Sequence, residues 1–157
     1  MIEDKINFIH VSFKSDLKAF KDYLVRRVCD LNIKVHLNTE ATPELLMKGN
    51  PDAVIAAVGV DSIMPAIPGI DKPSVILATD AYKKIGRIGQ KVVVIGGGQT
   101  GCGTGVHLAY EGKEVIIVEM LDRIAPDTGF AHRNALIERL DEKLKYLTSV
   151  RCTKIAD

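Results

Sequence analysis

The chain has 157 residues, of which 46% are hydrophobic and 26% are charged, with a net charge of +1. This length is enough for one ordinary hydrophobic core or for two small ones. The balanced charge and the scarcity of aromatic residues exclude a basic, base-stacking surface, so no nucleic acid partner is expected.

The sequence also argues against secretion, membrane insertion and metal binding. The first residues, MIEDKINFIHVS, lack the apolar core of a signal peptide, and runs such as VVVI are far too short to span a bilayer. The three cysteines, Cys29, Cys102 and Cys152, are widely spaced and form no CxxC pair. With four scattered histidines, this pattern predicts no metal site and favours a reduced, cytoplasmic setting.

The first part of the chain predicts short elements followed by a linker. Apolar residues recur at helical spacing after Asp16, and Thr42-Pro43-Glu44 is typical of the start of a short helix ending at Gly49. The predicted elements are a helix over 16–31, a strand over 33–37, a helix from 43 to Gly49, a buried strand over 53–59 and a linker over 65–73.

The second part predicts alternating strands and helices. KVVVI and EVIIV are continuous apolar runs of the kind that is buried on both faces of a parallel sheet. The predicted elements are a possible strand over 75–77, a short helix over 79–84, strands over 91–95, 114–118 and 149–153, and helices over 102–110 and 130–147. This βαβαβ order predicts a Rossmann-like α/β fold with a parallel sheet and three layers.

A glycine motif lies between the first of these strands and its helix. In VIGGGQTG, the residues Gly96, Gly98 and Gly101 satisfy GxGxxG. Gly96 would permit a tight turn, Gly98 would let a pyrophosphate approach the backbone, and Gly101 would let the helix pack closely on the strand. The N-terminus of the helix then offers N–H groups and partial positive charge to the phosphates.

An acidic residue makes this motif more specific. Glu119 lies 21 positions after Gly98, at the end of the second strand, where a carboxylate can accept both ribose hydroxyls of an adenosine. The alternatives are a glycine-rich turn of an unrelated α/β protein and a solvated acid at a strand end. Gly103 and Gly105 extend the glycine run into the predicted helix. Either the helix simply tolerates these two glycines, or they permit very close packing against the sheet.

The segment VVVIGGGQTGCGTGVHLAYEGKEVIIVE resembles the NAD(P)-binding part of pyridine nucleotide-disulfide oxidoreductase-like flavoproteins. The branch that it resembles contains 2,4-dienoyl-CoA reductase, 2-enoate reductase and other NADH:flavin oxidoreductases. PDAVIAAVGVDSIMPAIPGID likewise resembles a family signature, with Val58 where the family has Thr and Gly59 at a glycine that approaches the dinucleotide. Gly103 stands where the family has Glu.

The resemblance implies that the chain is one part of a larger flavoenzyme. Residues 1–72 would be a partial FAD-domain remnant with its linker, and residues 73–157 would be the first half of an NAD(H)-binding domain. FAD would belong to the intact enzyme, because a second GxGxxG is absent here. The implied cofactor-binding residues are Gly59, Gly96, Gly97, Gly98, Gln99, Thr100, Gly101 and Glu119.

The functional prediction is an NAD(H)-binding part of an oxidoreductase that passes hydride from NADH to flavin and on to an unsaturated substrate. No catalytic acid, base or nucleophile is predicted, since the cofactors carry the hydride chemistry. The alternative is a non-catalytic ADP-binding module, as in trimethylamine dehydrogenase-like proteins. Expected partners are the dinucleotide, the remainder of the enzyme and a second copy of the chain, because apolar faces of residues 1–72 would lack cover.

Overall fold

The fold was analysed in a computed structural model, which describes residues 15–59 and 61–156. The chain divides into two compact units between Asp61 and Ser62. The domain boundary expected after residue 72 stays a prediction. In chain order, the elements are α1 (Ser15–Asp30), α2 (Pro43–Lys48), α3 (Ala78–Ala81), a 3₁₀ turn (Ile85–Arg87), β1 (Lys91–Ile95), α4 (Gln99–Tyr110), β2 (Glu114–Val118), α5 (Phe130–Lys143) and β3 (Lys145–Leu147).

Both helices predicted in the first unit are confirmed. Helix α1 ends where Asn32 adopts a left-handed conformation with φ of 53°. Helix α2 begins as its sequence predicts, because the Thr42 side chain accepts a hydrogen bond from the Leu45 N–H at 3.3 Å and Pro43 occupies the first turn. Neither of these helices, nor any other over residues 15–59 and 61–156, has the length and apolar character needed to cross a bilayer.

The strands predicted over 33–37 and 53–59 are wrong. Both segments are irregular, and Ile55 is 91% exposed. A strand needs a neighbouring strand to pair its N–H and C=O groups, and residues 15–59 provide none. The β-branched residues of these segments favour an extended backbone, but no neighbouring strand among residues 15–59 pairs with them.

The second unit has the predicted parallel sheet, in the order β1-β2-β3. The two βα crossovers are α4 and α5, and α4 packs against β1, β2 and α5. One face of the sheet is buried through Val94, Val115 and Ile117. These contacts confirm the α/β class and the βαβαβ order.

The expectation that these strands are buried on both faces is wrong for the described residues. Val93 on the opposite face is 61% exposed, and Ile95 and Ile116 are each 40% exposed. Helices α4 and α5 lie against each other and cover the face that holds Val94 and Ile117. Residues 62–156 therefore form two layers, a helical layer and a sheet with one open apolar face, and the three layers predicted from the sequence are wrong for these residues.

The last strand lies earlier than predicted. The helix expected over 130–147 ends at Lys143, and the strand expected over 149–153 is instead β3 at 145–147. Leu144 adopts an extended conformation, so the next three residues can pair with β2, with Val118 opposite Leu147. Ser149, with φ of 57°, then turns the chain away from the sheet.

Two predictions before the sheet also differ from the structure. Residues 75–77 are irregular, and the helix expected over 79–84 is the short α3 at Ala78–Ala81. The carbonyl of Leu77 accepts hydrogen bonds from the N–H groups of Asp80 and Ala81 and so closes this turn. Lys84 then binds the Asp80 carboxylate at 2.6 Å in place of a further helical turn.

We predict that the chain self-associates through its open apolar faces. The sheet face that holds Val93, Ile95 and Ile116 is β-branched and exposed, and contiguous apolar surfaces drive association. Light scattering after size exclusion should give a mass above 17.1 kDa that rises with concentration. Changing Val93 and Ile116 together to Thr should shift the population toward monomer, and a wild-type monomer at every concentration would rule out self-association.

Candidate functional site

The glycine loop joins β1 to α4 at the carboxyl edge of the sheet. Gly96 has φ of 102°, a left-handed value that favours glycine, and its N–H donates to the Val118 carbonyl at 2.9 Å. The predicted tight turn is therefore confirmed. Helix α4 begins at Gln99, three residues before the predicted start, with Gly98 in an extended conformation as its N-cap.

Two other glycines permit close packing of α4 on the sheet. A Cβ atom on Gly101 would collide with the carbonyl oxygen of Gly96 and lie 3.5 Å from Val94 Cγ1. A Cβ on Gly105 would lie 2.9 Å from Ile117 Cδ1. The packing role predicted for Gly101 is confirmed, and the packing interpretation holds for Gly105 as well.

Gly97 is buried, and both its N–H and its carbonyl form hydrogen bonds. Its N–H donates to Glu119 Oε2 at 2.6 Å, and its carbonyl accepts the Ala125 N–H at 2.7 Å and the Cys102 thiol at 3.1 Å. A Cβ on Gly97 would lie 2.6 Å from Ile124 Cδ1. Gly97 therefore lets the segment after β2 approach the loop from inside.

Glu119 joins the glycine loop to the end of β2. It is 7% exposed, and its second carboxylate oxygen accepts the Leu121 N–H at 2.8 Å. A carboxylate has roughly four acceptor positions, of which these two N–H groups fill two. The remaining acceptor capacity suits a pair of hydroxyl donors, as the two hydroxyls of a ribose would be.

A cleft of about 700 Å³ opens beside Glu119 at the carboxyl ends of β1 and β2. Its walls are Ile63 with residues 65–67 and the segment 150–153 that follows β3. The Ile155 N–H donates to the Pro68 carbonyl at 2.9 Å and so ties these two walls together. In open α/β sheets this edge is where ligands bind. The lining residues are Ile63, Pro65, Ala66, Ile67, Ile95, Gly96, Val118, Glu119, Met120, Val150, Arg151, Cys152 and Thr153.

Asp127 lies at this site, although no sequence motif assigned it there. Its Oδ1 accepts the Gln99 N–H at 2.9 Å, so its carboxylate lies at the N-terminus of α4. The approach is made possible by Ala125, whose φ of 51° turns the chain back toward the glycine loop. The sequence shows only an acid in the turn that follows Ile124 and Ala125. Because Asp127 lies 28 residues from Gln99 in the chain, no local pattern predicted this contact.

The structure brings together most of the predicted site residues. Residues 96–101 form one continuous loop and helix start, and Glu119 contacts that loop directly. Gly59 belongs to the first unit and has φ of 79°, with no atom within 4 Å of a Cβ placed on it. Its assignment to a dinucleotide stays a prediction. Over the described ranges 15–59 and 61–156, no cluster of His, Cys, Asp and Glu could hold a metal ion.

This geometry defines a Rossmann-like α/β unit with a glycine loop between its first strand and helix. The comparison with family models then matches residues 34–157 to the pyridine nucleotide-disulphide oxidoreductases. The chain belongs to this family.

Curated relatives include two reductases. The chain is 33% identical over 146 residues to a bilirubin reductase from Mediterraneibacter gnavus, covering 90% of this chain and 22% of that protein. It is 37% identical over 112 residues to a cinnamate reductase from Clostridium sporogenes, covering 71% of this chain and 16% of that protein. The chain thus spans about a fifth of the length of the curated relatives that it matches.

A solved structure gives the same result for the fold. A 2-naphthoyl-CoA reductase in complex with 2-naphthoyl-CoA superposes with a TM-score of 0.79 and 28% identity, covering 96% of this chain and 23% of that one. The Rossmann-like arrangement of the sheet is therefore that of this family.

We predict that Gly101→Ala destabilises the chain. Glycine to alanine inside a helix ordinarily gains about 1 kcal/mol. Here the new methyl group meets the Gly96 carbonyl, so a loss of about 2 kcal/mol or more in the free energy of unfolding is expected. Gly86→Ala is the matched control, because a Cβ there has no atom within 4 Å and should change stability by less than about 0.5 kcal/mol. Urea titration measures both, and a stable Gly101→Ala variant would contradict the packing role.

A second prediction concerns Cys102, whose thiol is fully buried. Burial raises the pKa of this thiol to about 12, and the neighbouring Asp127 and Glu119 carboxylates add to the rise. Because the folded pKa lies above the ordinary value of 9.0, this contribution to stability is present below pH 9 and is lost as pH rises toward 12.

Thermal melts between pH 8 and pH 11 check this expectation. Cys102→Ala should flatten the fall of the melting temperature with pH, whereas Cys29→Ala, at an exposed cysteine, should leave that slope unchanged. Equal slopes in the two variants would show that the Cys102 thiol titrates as it does in the unfolded chain.

Proposed function

We propose that the chain is the NAD(H)-binding part of a larger FAD- or FMN-dependent oxidoreductase. In that enzyme, hydride would pass from NADH to the flavin and on to an unsaturated substrate of the enoate or enoyl-CoA type. The family supports a pyridine nucleotide and an oxidoreductase. The supporting observation for NAD(H) is the carboxylate of Glu119, held against the glycine loop at 2.6 Å and lining the cleft.

The residues of the site suit a dinucleotide in three respects. Residue 96 and residues 98–101 would hold the pyrophosphate, because they form a turn followed by the N-terminus of a 12-residue helix. Glu119 would accept the ribose hydroxyls with the acceptor capacity left by Gly97 and Leu121. The cleft beside it, of about 700 Å³, has the volume expected for a small-molecule site.

The residues of this chain would bind and orient the nucleotide and leave the reaction to the cofactors. When bound, NADH supplies a hydride. Among the described residues, the buried nucleophile at the loop is the Cys102 thiol. Its pKa is raised to about 12, and it donates a hydrogen bond to the Gly97 carbonyl. Its role is to hold the loop, since a thiol with so high a pKa is a poor nucleophile.

The substrate class rests on the relatives. Cinnamate is an unsaturated carboxylate and 2-naphthoyl-CoA is an unsaturated acyl thioester, the substrates named for two proteins of related sequence. FAD is proposed for the intact enzyme and not for these residues, and a cytoplasmic setting is expected for it.

The alternative is a module that holds ADP without taking part in hydride transfer. Mixing the longer flavin-containing protein anaerobically with NADH separates the two functions. Bleaching of the flavin absorbance within the time of turnover supports the oxidoreductase. Tight binding of ADP and NADH with an unchanged flavin spectrum would support the non-catalytic module instead.

We predict that NADH binds at least about tenfold more tightly than NADPH, because the 2′-phosphate of NADPH would face the like charge of Glu119. Fluorescence titration of both nucleotides gives the ratio of dissociation constants. Glu119→Gln should bring the ratio toward one, at some cost in stability, because the Leu121 or Gly97 N–H loses its charged acceptor.

Glu114→Gln is the matched control for this measurement. Glu114 begins β2, at the opposite edge of the sheet, so the same loss of charge there should leave the ratio unchanged. Equal or tighter binding of NADPH by the wild-type chain would refute the preference.

A further inference from the structure

The N-terminus of α4 is capped by a carboxylate from a distant part of the chain. Gly98, its N-cap residue, has no side chain to accept a hydrogen bond, and the first turn of α4 contains no acidic residue. Asp127 supplies the missing acceptor, with its Oδ1 2.9 Å from the Gln99 nitrogen. The partial positive charge of the helix terminus is therefore already matched by an anion from the protein itself.

The same carboxylate fills the space that Gly98 leaves by lacking a side chain. A Cβ on Gly98 would lie 3.2 Å from Asp127 Oδ2 and 3.5 Å from its Oδ1. In the dinucleotide-binding turn this glycine is the one whose bare backbone lets a pyrophosphate come close. The Asp127 carboxylate thus lies where a phosphate oxygen of the nucleotide would be placed.

The backbone before Asp127 is firmly held, while its side chain is exposed. The Ala125 N–H donates to the Gly97 carbonyl at 2.7 Å, and the Arg133 side chain donates to the Ile124 carbonyl at 2.9 Å. Ile124 and Ala125 are fully or almost fully buried. The loop therefore keeps the acid beside the helix, and rotation of the exposed Asp127 side chain is sufficient to remove the carboxylate from the N-terminus.

We infer that Asp127 is an internal anion that competes with the pyrophosphate of the nucleotide and so sets its affinity. This inference rests on the proposed dinucleotide site. Without nucleotide, Asp127 caps α4 and neutralises its N-terminus. With nucleotide, the carboxylate gives up the Gln99 N–H and stays close to the incoming phosphates as a like charge.

The test measures binding of ADP and of adenosine to the full 157-residue chain by calorimetric titration. Asp127→Asn removes the charge but keeps an amide oxygen that can accept the Gln99 N–H. ADP should bind this variant about tenfold more tightly than it binds wild type, the effect expected when one like charge beside the phosphates is removed. Adenosine, which has no phosphate, should bind both equally.

Asp122→Asn is the matched control. It removes the same formal charge from the same loop, and the side chain of Asp122 has no hydrogen bond or ion pair within residues 15–59 and 61–156. Its affinity for ADP should equal that of wild type. Asp127→Ala should also bind ADP more tightly, yet it should melt at a lower temperature without nucleotide because α4 has lost its cap.

The outcomes separate this inference from the proposed function. ADP bound by wild type with unchanged or weaker binding to Asp127→Asn would overturn the inference and leave the dinucleotide site intact. Binding of ADP by Asp127→Asn alone would support the inference in its strongest form. Absence of ADP binding in all variants would overturn both proposals.

Discussion

The buried carboxylate of Glu119 is the contact on which the site depends. It accepts the Gly97 N–H at 2.6 Å and the Leu121 N–H at 2.8 Å, and so joins the loop after β1 to the chain that leaves β2. Hydrogen bonds to a charged acceptor contribute about 1.5–3 kcal/mol each. The parallel sheet brings the two strand ends side by side, and this carboxylate then fixes how the two loops meet.

That contact requires the chain after β2 to lie very close to the backbone of the glycine loop. Ile124 and Glu119 can lie against the loop only because residue 97 lacks a Cβ, and α4 can lie against β1 only because residue 101 does. The Gly97 carbonyl, which faces Ala125 and Cys102, completes the arrangement from the other side. These contacts fix the backbone of the loop in the absence of any ligand, so the proposed nucleotide would have to order little backbone on binding.

The sequence predicted those parts of the fold whose signals are local. The glycine turn, the two strands beside it and the acid at position 119 follow from spacing within 29 residues, and the structure places them together. The strands expected over 33–37 and 53–59 failed because strand formation depends on partners that a local pattern does not reveal. The predicted position of β3 was wrong for a related reason, since residues 145–147, which were expected to continue the helix, pair with β2 instead.

The site was predictable to the same extent. Gly96 and Gly101 have the backbone roles that their motif assigns, whereas Gly97 faces the interior and not the open side of the loop. The sequence did not predict the role of Asp127, because its contact with Gln99 spans 28 residues and depends on the left-handed turn at Ala125. Long-range contacts through irregular loops leave no periodic signal in a sequence.

A two-dimensional amide NMR titration of the full chain with NADH tests the dinucleotide site most directly. The largest shifts should fall on the amides of residues 96–101 and 119–121, with those of α1 unchanged. The Gln99 and Leu121 amides should report the change at Asp127 and Glu119, their acceptors. Shifts concentrated in α1 and α2, or none at millimolar NADH, would contradict a dinucleotide site at this loop.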